Sequence, residues 1–425
     1  MKLVSALAIA AAMTLAPQTP AAAQDGIPGP EDDSYIWLEE ARSDEALDWV
    51  RSENERTMEL IAGDPRFDAV KAEALAIYDS EDRIPYVTIR PDGLYNFWQD
   101  KQNPRGLVRR TTLESYRTDD PQWETVLDVD ALAEAEGREW VYKGSTCLPP
   151  QERMCMIALS DGGEDATVLR EFDMATKSFV EDGFLLDQKS QGGIEWVDAD
   201  TLLVSRDFGE GTLTESQYPR TSRIWKRGTA IEDAQEIWRG EEADVWSSAT
   251  LLRDHTGTAH GYYAFRATSF HETEYFWQHE GEWLRLDMPL KAAPYGLIDG
   301  QLLFSTDVDW ETQGQTFPAD ALVSVDLEAF KADPNGATKT LVWAPEDKQT
   351  KQGAANTAES LYVSLLDNVR GRVLKFDHVD GGWVSSEIPL PDNSTVGVQT
   401  ASESSDEIMY SVTDFLTPST LYYSD

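Results

Sequence analysis

Residues 302–307 read LLFSTD: three apolar residues, two small hydroxyl residues and an aspartate. The same shape returns as YNFWQD at 95–100, MIALSD at 156–161, LLVSRD at 202–207, LYVSLLD at 361–367 and MYSVTD at 409–414. Each is a short apolar-rich run closed by a turn-forming residue, which reads as a buried strand and its exit. The aspartate fits a turn position, where a carboxylate can accept the amides of the following loop. Between Asp207 and Asp307 there is room for one more copy, and GYYAFRATSF at 261–270 fits it without the aspartate. A second strand follows in turn, as in SRIWKRG (222–228), EYFWQHEGEW (274–283), ALVSVDL (321–327), GRVLKFDHVDGGW (371–383) and STLYYSD (419–425). Seven units of roughly 40 to 60 residues point first to a propeller, ahead of a pair of stacked sandwiches. Radial packing of small twisted sheets also gives buried places to the 14 Trp and 15 Tyr.

Ahead of the strands the texture is helical. Ser43 can cap a helix over 43–62, with Asp44 and Glu45 at its positive end and Gly63 and Pro65 stopping it. Leu47, Val50, Met58 and Ile61 share a stripe, and a second helix over 65–78 places Val70, Ala74 and Ile77 together. Both stripes call for a partner surface. The expected fold is therefore mainly β: a seven-bladed β-propeller over 83–425, preceded by a short α-helical segment over 24–82.

Residues 1–23 read as an export signal. Lys2 supplies the positive start, Leu3 to Leu15 form an Ala-rich apolar run too short to span a bilayer, and Ala21 and Ala23 precede a cut before Gln24. No cysteine follows the run, which argues against a lipid anchor, and no later stretch reaches membrane-spanning length. The mature chain is expected to be periplasmic or secreted. With 77 Asp and Glu against 36 Lys and Arg, the net charge of -41 disfavours nucleic acid and anionic membranes as partners. Cys147 and Cys155 flank a Pro-Pro turn in CLPPQERMC and can close a small loop as a disulfide in an oxidising compartment; two free buried thiols are the alternative.

No residue carries recognisable catalytic or cofactor chemistry. There is no G-x-S-x-G elbow, P-loop or dinucleotide fingerprint. The histidines are His255, His260, His271, His279 and His378. HETEY at His271 has Tyr275 where a zinc-protease helix needs its second histidine, and reads as a hairpin strand. In DVDALAEAEG, from Asp128, Leu132 stands where an EF-hand needs a ligand and no Gly follows at the turn, so its carboxylates are expected to solvate a short helix. Asp307, Asp309 and Glu311 form the densest local acid group, a weak basis for paired-carboxylate glycoside chemistry in so acidic a chain. Catalytic, cofactor and metal residues are accordingly expected to be none.

Several ordered motifs carry a resemblance. DDSYIWLEE, through Asp33, Tyr35, Trp37, Leu38 and Glu39, resembles the D-P-Y-x-W-L-E opening of prolyl oligopeptidase-type serine peptidases, with Ser34 where that family usually has Pro. DRIPY at 82–86, YNFWQDKQNPRGLVRRTTLESY from Tyr95, LTESQYPR from Leu213 and FLTPSTLY from Phe415 are similar to the family's propeller. The resemblance implies a helical segment and seven-bladed cap over a C-terminal α/β-hydrolase domain, which holds the Ser, Asp and His of the triad and begins just past TLYYSD. It implies a cap that restricts entry to short peptides, helices near 43–79 that lie against the hydrolase, and no catalytic residue within these 425. A free-standing periplasmic propeller that binds peptides or a protein partner is the alternative expectation.

Overall fold

The computed structural model describes residues 33–425. They fall into two compact units that divide between Ser80 and Glu81. The expected export signal lies outside the described residues.

The first unit is helical. After a short 3-10 turn at Ile36–Glu39, helix α1 spans Asp44–Ile61 and helix α2 spans Phe67–Tyr78. The Ser43 hydroxyl accepts the Ala46 N–H at 3.1 Å, which caps α1 at the expected place. Helix α2 begins later than Pro65, because the Asp64 carboxylate accepts the Arg66 N–H at 2.9 Å and holds the intervening turn. Tyr35 and Trp37 stand against Trp49, with ring centroids 6.5 and 6.3 Å away. Ala46 is the one buried residue of the two helices. Val50, Met58 and Ile61 on α1, and Val70 and Ile77 on α2, are exposed.

The second unit is a seven-bladed β-propeller. Its blades occupy 88–128, 140–190, 193–239, 246–285, 292–343, 349–387 and 395–424, each an antiparallel sheet contiguous in sequence. Blades 1 and 3–6 have four strands, and in blade 2 the outer strand is split into Ser178–Phe179 and Leu185–Ser190. Blade 7 has three strands, ending on Thr420–Ser424. Blade 5 carries an extra hairpin, Trp310–Thr312 with Gln315–Phe317.

The recurring apolar runs are the second strands, which lie between neighbours in the sheet and are covered on both faces. Leu202, Leu203 and Val204 are fully buried, as are Leu302, Leu303 and Phe304. GYYAFRATSF supplies the second strand of blade 4, Ala259–Ala267. The closing aspartates act as expected in three places: Asp100 accepts the Gln102 and Asn103 N–H groups, Asp207 that of Gly209, and Asp414 those of Leu416 and Thr417. Asp161 instead reaches back to the Glu139 N–H.

Inner strands differ from second strands in one regular way. In blades 2 to 7 the inner strand slips register against its neighbour, for example between Tyr142 and Gly144 and between Lys351 and Gly353. A bulge bends a strand and increases its twist, which lets six inner strands splay around an axis. At the bulge in blade 2, Gly144 takes φ +120°, open to glycine and rarely to other residues.

The ring closes by side-chain packing. Val87, Ile89 and Leu94 of the first blade region share a core with Met409 of blade 7, and the Ile89 N–H donates to Thr400 Oγ1 at 3.4 Å. No strand of one blade enters the other's sheet.

Candidate functional site

Because all seven blades run the same way, their turns sort to two ends of the ring. The turn after each inner strand lies at one end, and the turn after each second strand at the other. The two ends differ sharply in chemistry.

At the first end a cavity of about 390 Å³ opens among the tips of the inner strands. Its walls are largely apolar, with the partly exposed Pro149, Tyr263, Tyr295 and Leu297 over the buried Trp196, Trp277 and Phe304. Its rim is polar and draws on Glu152, Glu195, Asp254, Asn356 and Glu403 from blades 2, 3, 4, 6 and 7. A strap from blade 2, residues 148–154, crosses this mouth. Leu148 and Met154 close its base with a 2.8 Å N–H···O bond, and the sulfurs of Cys147 and Cys155 lie 1.99 Å apart as a disulfide. The strap reaches blade 4, where a Cβ on Gly257 would lie 2.8 Å from the ring of Pro150. Only glycine leaves that passage open, and its φ of +83° points to the same requirement.

The rim carboxylates differ in state. Burial pushes the Glu195 carboxyl up, while the Thr250 hydroxyl, the Leu251 N–H at 2.9 Å and the charge of Arg253 pull it down. Burial also raises Glu152; Arg90 lowers it, and Glu403 and Asp92 raise it further as like charges. At Asp254 burial again pushes upward, but bonds from Thr256, His260 and Thr258 prevail and hold it at about 2. Arg253, the one arginine on the rim, donates to the carbonyls of Trp196, Val197 and Gly257. Tyr263 and Tyr295, both pushed up to about 12 by burial, remain neutral phenols.

At the opposite end the turns present large apolar side chains to solvent. Phe270 in blade 4 is 89% exposed, Val369 in blade 6 is 87%, and Phe415 and Leu416 in blade 7 are 105% and 96%. Tyr218 and Trp246, stacked edge to face at 6.2 Å, add a partly exposed aromatic pair.

Of the residues weighed in the sequence, Cys147 and His255 line this cavity, and the acidic candidates lie apart from it. Asp128 caps the helix Val129–Glu136 through the Ala131 N–H at 2.8 Å, and Thr273–His279 is a hairpin strand. Asp309 accepts the Ala319 N–H at 2.9 Å beside the blade 5 hairpin. Among the described residues no group of three His, Cys, Asp or Glu could hold a metal ion. His260 and His378 each bond an aspartate at 2.8 Å, Asp254 and Asp299 respectively. Glu195 escaped notice, although an acid between Ile194 and Trp196 on an apolar strand was a signal.

Comparison with known proteins places this geometry. Residues 17–425 match the family model for the prolyl oligopeptidase N-terminal β-propeller domain. An uncharacterized peptidase of Sinorhizobium fredii is 38% identical over 399 residues, covering 92% of this chain and 55% of the relative. An uncharacterized peptidase of Rickettsia prowazekii is 27% identical over 401 residues, covering 91% and 55%. Among solved structures, a post-proline cleaving enzyme from Rickettsia typhi shares the fold with a TM-score of 0.85 at 24% identity, covering 93% of this chain and 59% of that one. The chain thus spans little more than half the length of the relatives it matches. By its propeller, the chain belongs to the prolyl oligopeptidase family.

Proposed function

We propose that the chain is the cap of an exported prolyl oligopeptidase-type serine endopeptidase, and that its ring admits short peptides to a hydrolase domain carried elsewhere in the enzyme. The observation that carries this reading is the asymmetry of the ring. One end bears Phe270, Val369, Phe415 and Leu416 in the open, a concentration of apolar side chains that a water-facing end does not need. The other end opens through a cavity of about 390 Å³, within the range that holds a small organic ligand or a few peptide residues. An apolar face for a catalytic domain and a polar mouth for the substrate suit a gate.

In that enzyme the hydrolase domain supplies a serine activated by histidine and oriented by aspartate, and acyl transfer occurs there. The chain described here contributes exclusion. Its blades and strap restrict what reaches the serine, and its apolar end shields the reaction from water. The exposed stripes of α1 and α2 suit the same partner.

The purified chain from Gln24 onward tests this reading. Incubated with a chromogenic Gly-Pro peptide and a fluorophosphonate probe, it is expected to show neither turnover nor labelling. Cleavage abolished by the probe would place a catalytic serine within the propeller and overturn the proposal.

A further inference from the structure

We propose that the strapped cavity selects positively charged peptides, drawing an ammonium or guanidinium group in through the carboxylates of Glu195 and Glu403 on its lining. This deepens the gating reading above and rests on it. Three observations lead to it.

The first is an imbalance of charge around the cavity. Four carboxylates line the cavity, those of Glu152, Glu195, Asp254 and Glu403, against a single guanidinium, that of Arg253. Arg253 is turned toward backbone carbonyls, and Asp254 is held by its own turn and by His260. Glu152 faces Arg90, with Nε 3.6 Å from its carboxylate. Glu195 has hydrogen-bond donors but no cation in contact among the described residues, and Glu403 is exposed at the rim.

The second is a missing donor. The side-chain oxygen of Asn356, on the same cavity wall, is buried without a hydrogen-bond partner among the described residues. A buried acceptor without a donor is costly, and a ligand N–H would relieve it once the side chain turns toward the cavity.

The third is the shape of the wall. Tyr263 and Tyr295, both partly exposed, offer aromatic surface beside the carboxylates. That combination suits a cation on an aliphatic stem, whose methylenes pack on rings while its charged tip meets oxygen. The cavity lies at the end of the ring remote from the exposed apolar turns, so selection would act at entry, before the substrate reaches any catalytic group.

The charged group has two possible sources, a peptide's terminal ammonium or a lysine or arginine side chain. Calorimetric titration of the full chain with three capped or uncapped tripeptides separates them. Acetyl-Gly-Lys-Gly-amide carries only a side-chain charge, Gly-Gly-Gly-amide carries only the terminal charge, and acetyl-Gly-norleucine-Gly-amide carries none. At least one charged peptide is expected to bind about tenfold or more tighter than the neutral one, as for a contact with a partly buried opposite charge. Which one binds identifies the source.

The Glu195→Gln variant keeps an oxygen for Thr250 and Leu251, and Glu403→Gln alters an exposed side chain, so both should fold. Each is expected to remove most of the preference. One charge out of a net -41 could not do so through the overall field of the protein. Equal binding of charged and neutral peptides would overturn charge selection while leaving a peptide-admitting channel intact. Binding of none of the three at millimolar concentration, or unchanged preference in both variants, would overturn the site itself.

Discussion

Replacing Arg227 with methionine should destabilise the propeller far more than an ordinary surface change. Glu171, in blade 2, is only 2% exposed, yet it carries a carboxylate. Arg227, in the turn between two strands of blade 3, meets it with two nitrogens at 2.7 and 2.9 Å, and the Phe184 N–H donates at 2.6 Å. Arg227 also stacks over the Phe184 ring and bonds Asp200 at 3.0 Å. The methionine removes the only cation in contact with a desolvated charge, and breaking such a pair costs about 3–5 kcal/mol. At about 2.1 cal/mol/K per residue, a unit of this length melts with an entropy of about 0.7 kcal/mol/K, so Tm should fall by about 4–7 °C. Urea unfolding followed by tryptophan fluorescence measures the loss directly. Glu171→Gln in the methionine background should recover most of it, since the orphaned charge is then gone. A loss below about 1 kcal/mol for Arg227→Met, or no recovery in the double variant, would refute the claim that this pair ties blade 2 to blade 3.

Two further outcomes follow from the ends of the ring. Converting Cys147 and Cys155 to serine together opens an eight-residue loop and should lower stability by about 2–3 kcal/mol on the chain-entropy account, read as a shift in the urea midpoint; no shift would mean that the strap is held by its hydrogen bonds alone. Phe415→Ser with Leu416→Ser should leave stability within about 0.5 kcal/mol while reducing the binding of an apolar dye, because neither side chain is packed in the ring; a marked loss of stability would show that these residues serve the fold and not a partner.

How far the fold could be read in advance depends on where each strand sits. Second strands were legible because they are buried on both faces and must be apolar throughout, as in Leu302 to Phe304. Inner strands were not, since one side meets the channel. Gln349–Asn356 reads QTKQGAAN, with no apolar alternation to betray it. The copy lacking an aspartate has a plain cause: in blade 4 the Thr268 and Ser269 N–H groups donate to the Glu272 carbonyl, and the backbone closes the turn that a carboxylate closes elsewhere. The cavity was illegible for a different reason. Glu152, Glu195 and Glu403 lie in three blades, and only the circular arrangement brings them to one mouth. The apolar stripes of α1 and α2 were legible as stripes, and Val50, Met58, Ile61, Val70 and Ile77 on them are exposed.

The claim that this propeller is a gate is tested most directly by joining it to a working hydrolase. A chimera carries residues 24–425 of this chain ahead of the C-terminal part of the Sinorhizobium fredii relative. It is assayed on an octapeptide and on an unfolded protein of about 100 residues, each containing the same Gly-Pro sequence. The account predicts serine-dependent cleavage of the octapeptide and little or none of the long chain. Equal rates on both substrates would contradict it, because a ring that passes both gates neither.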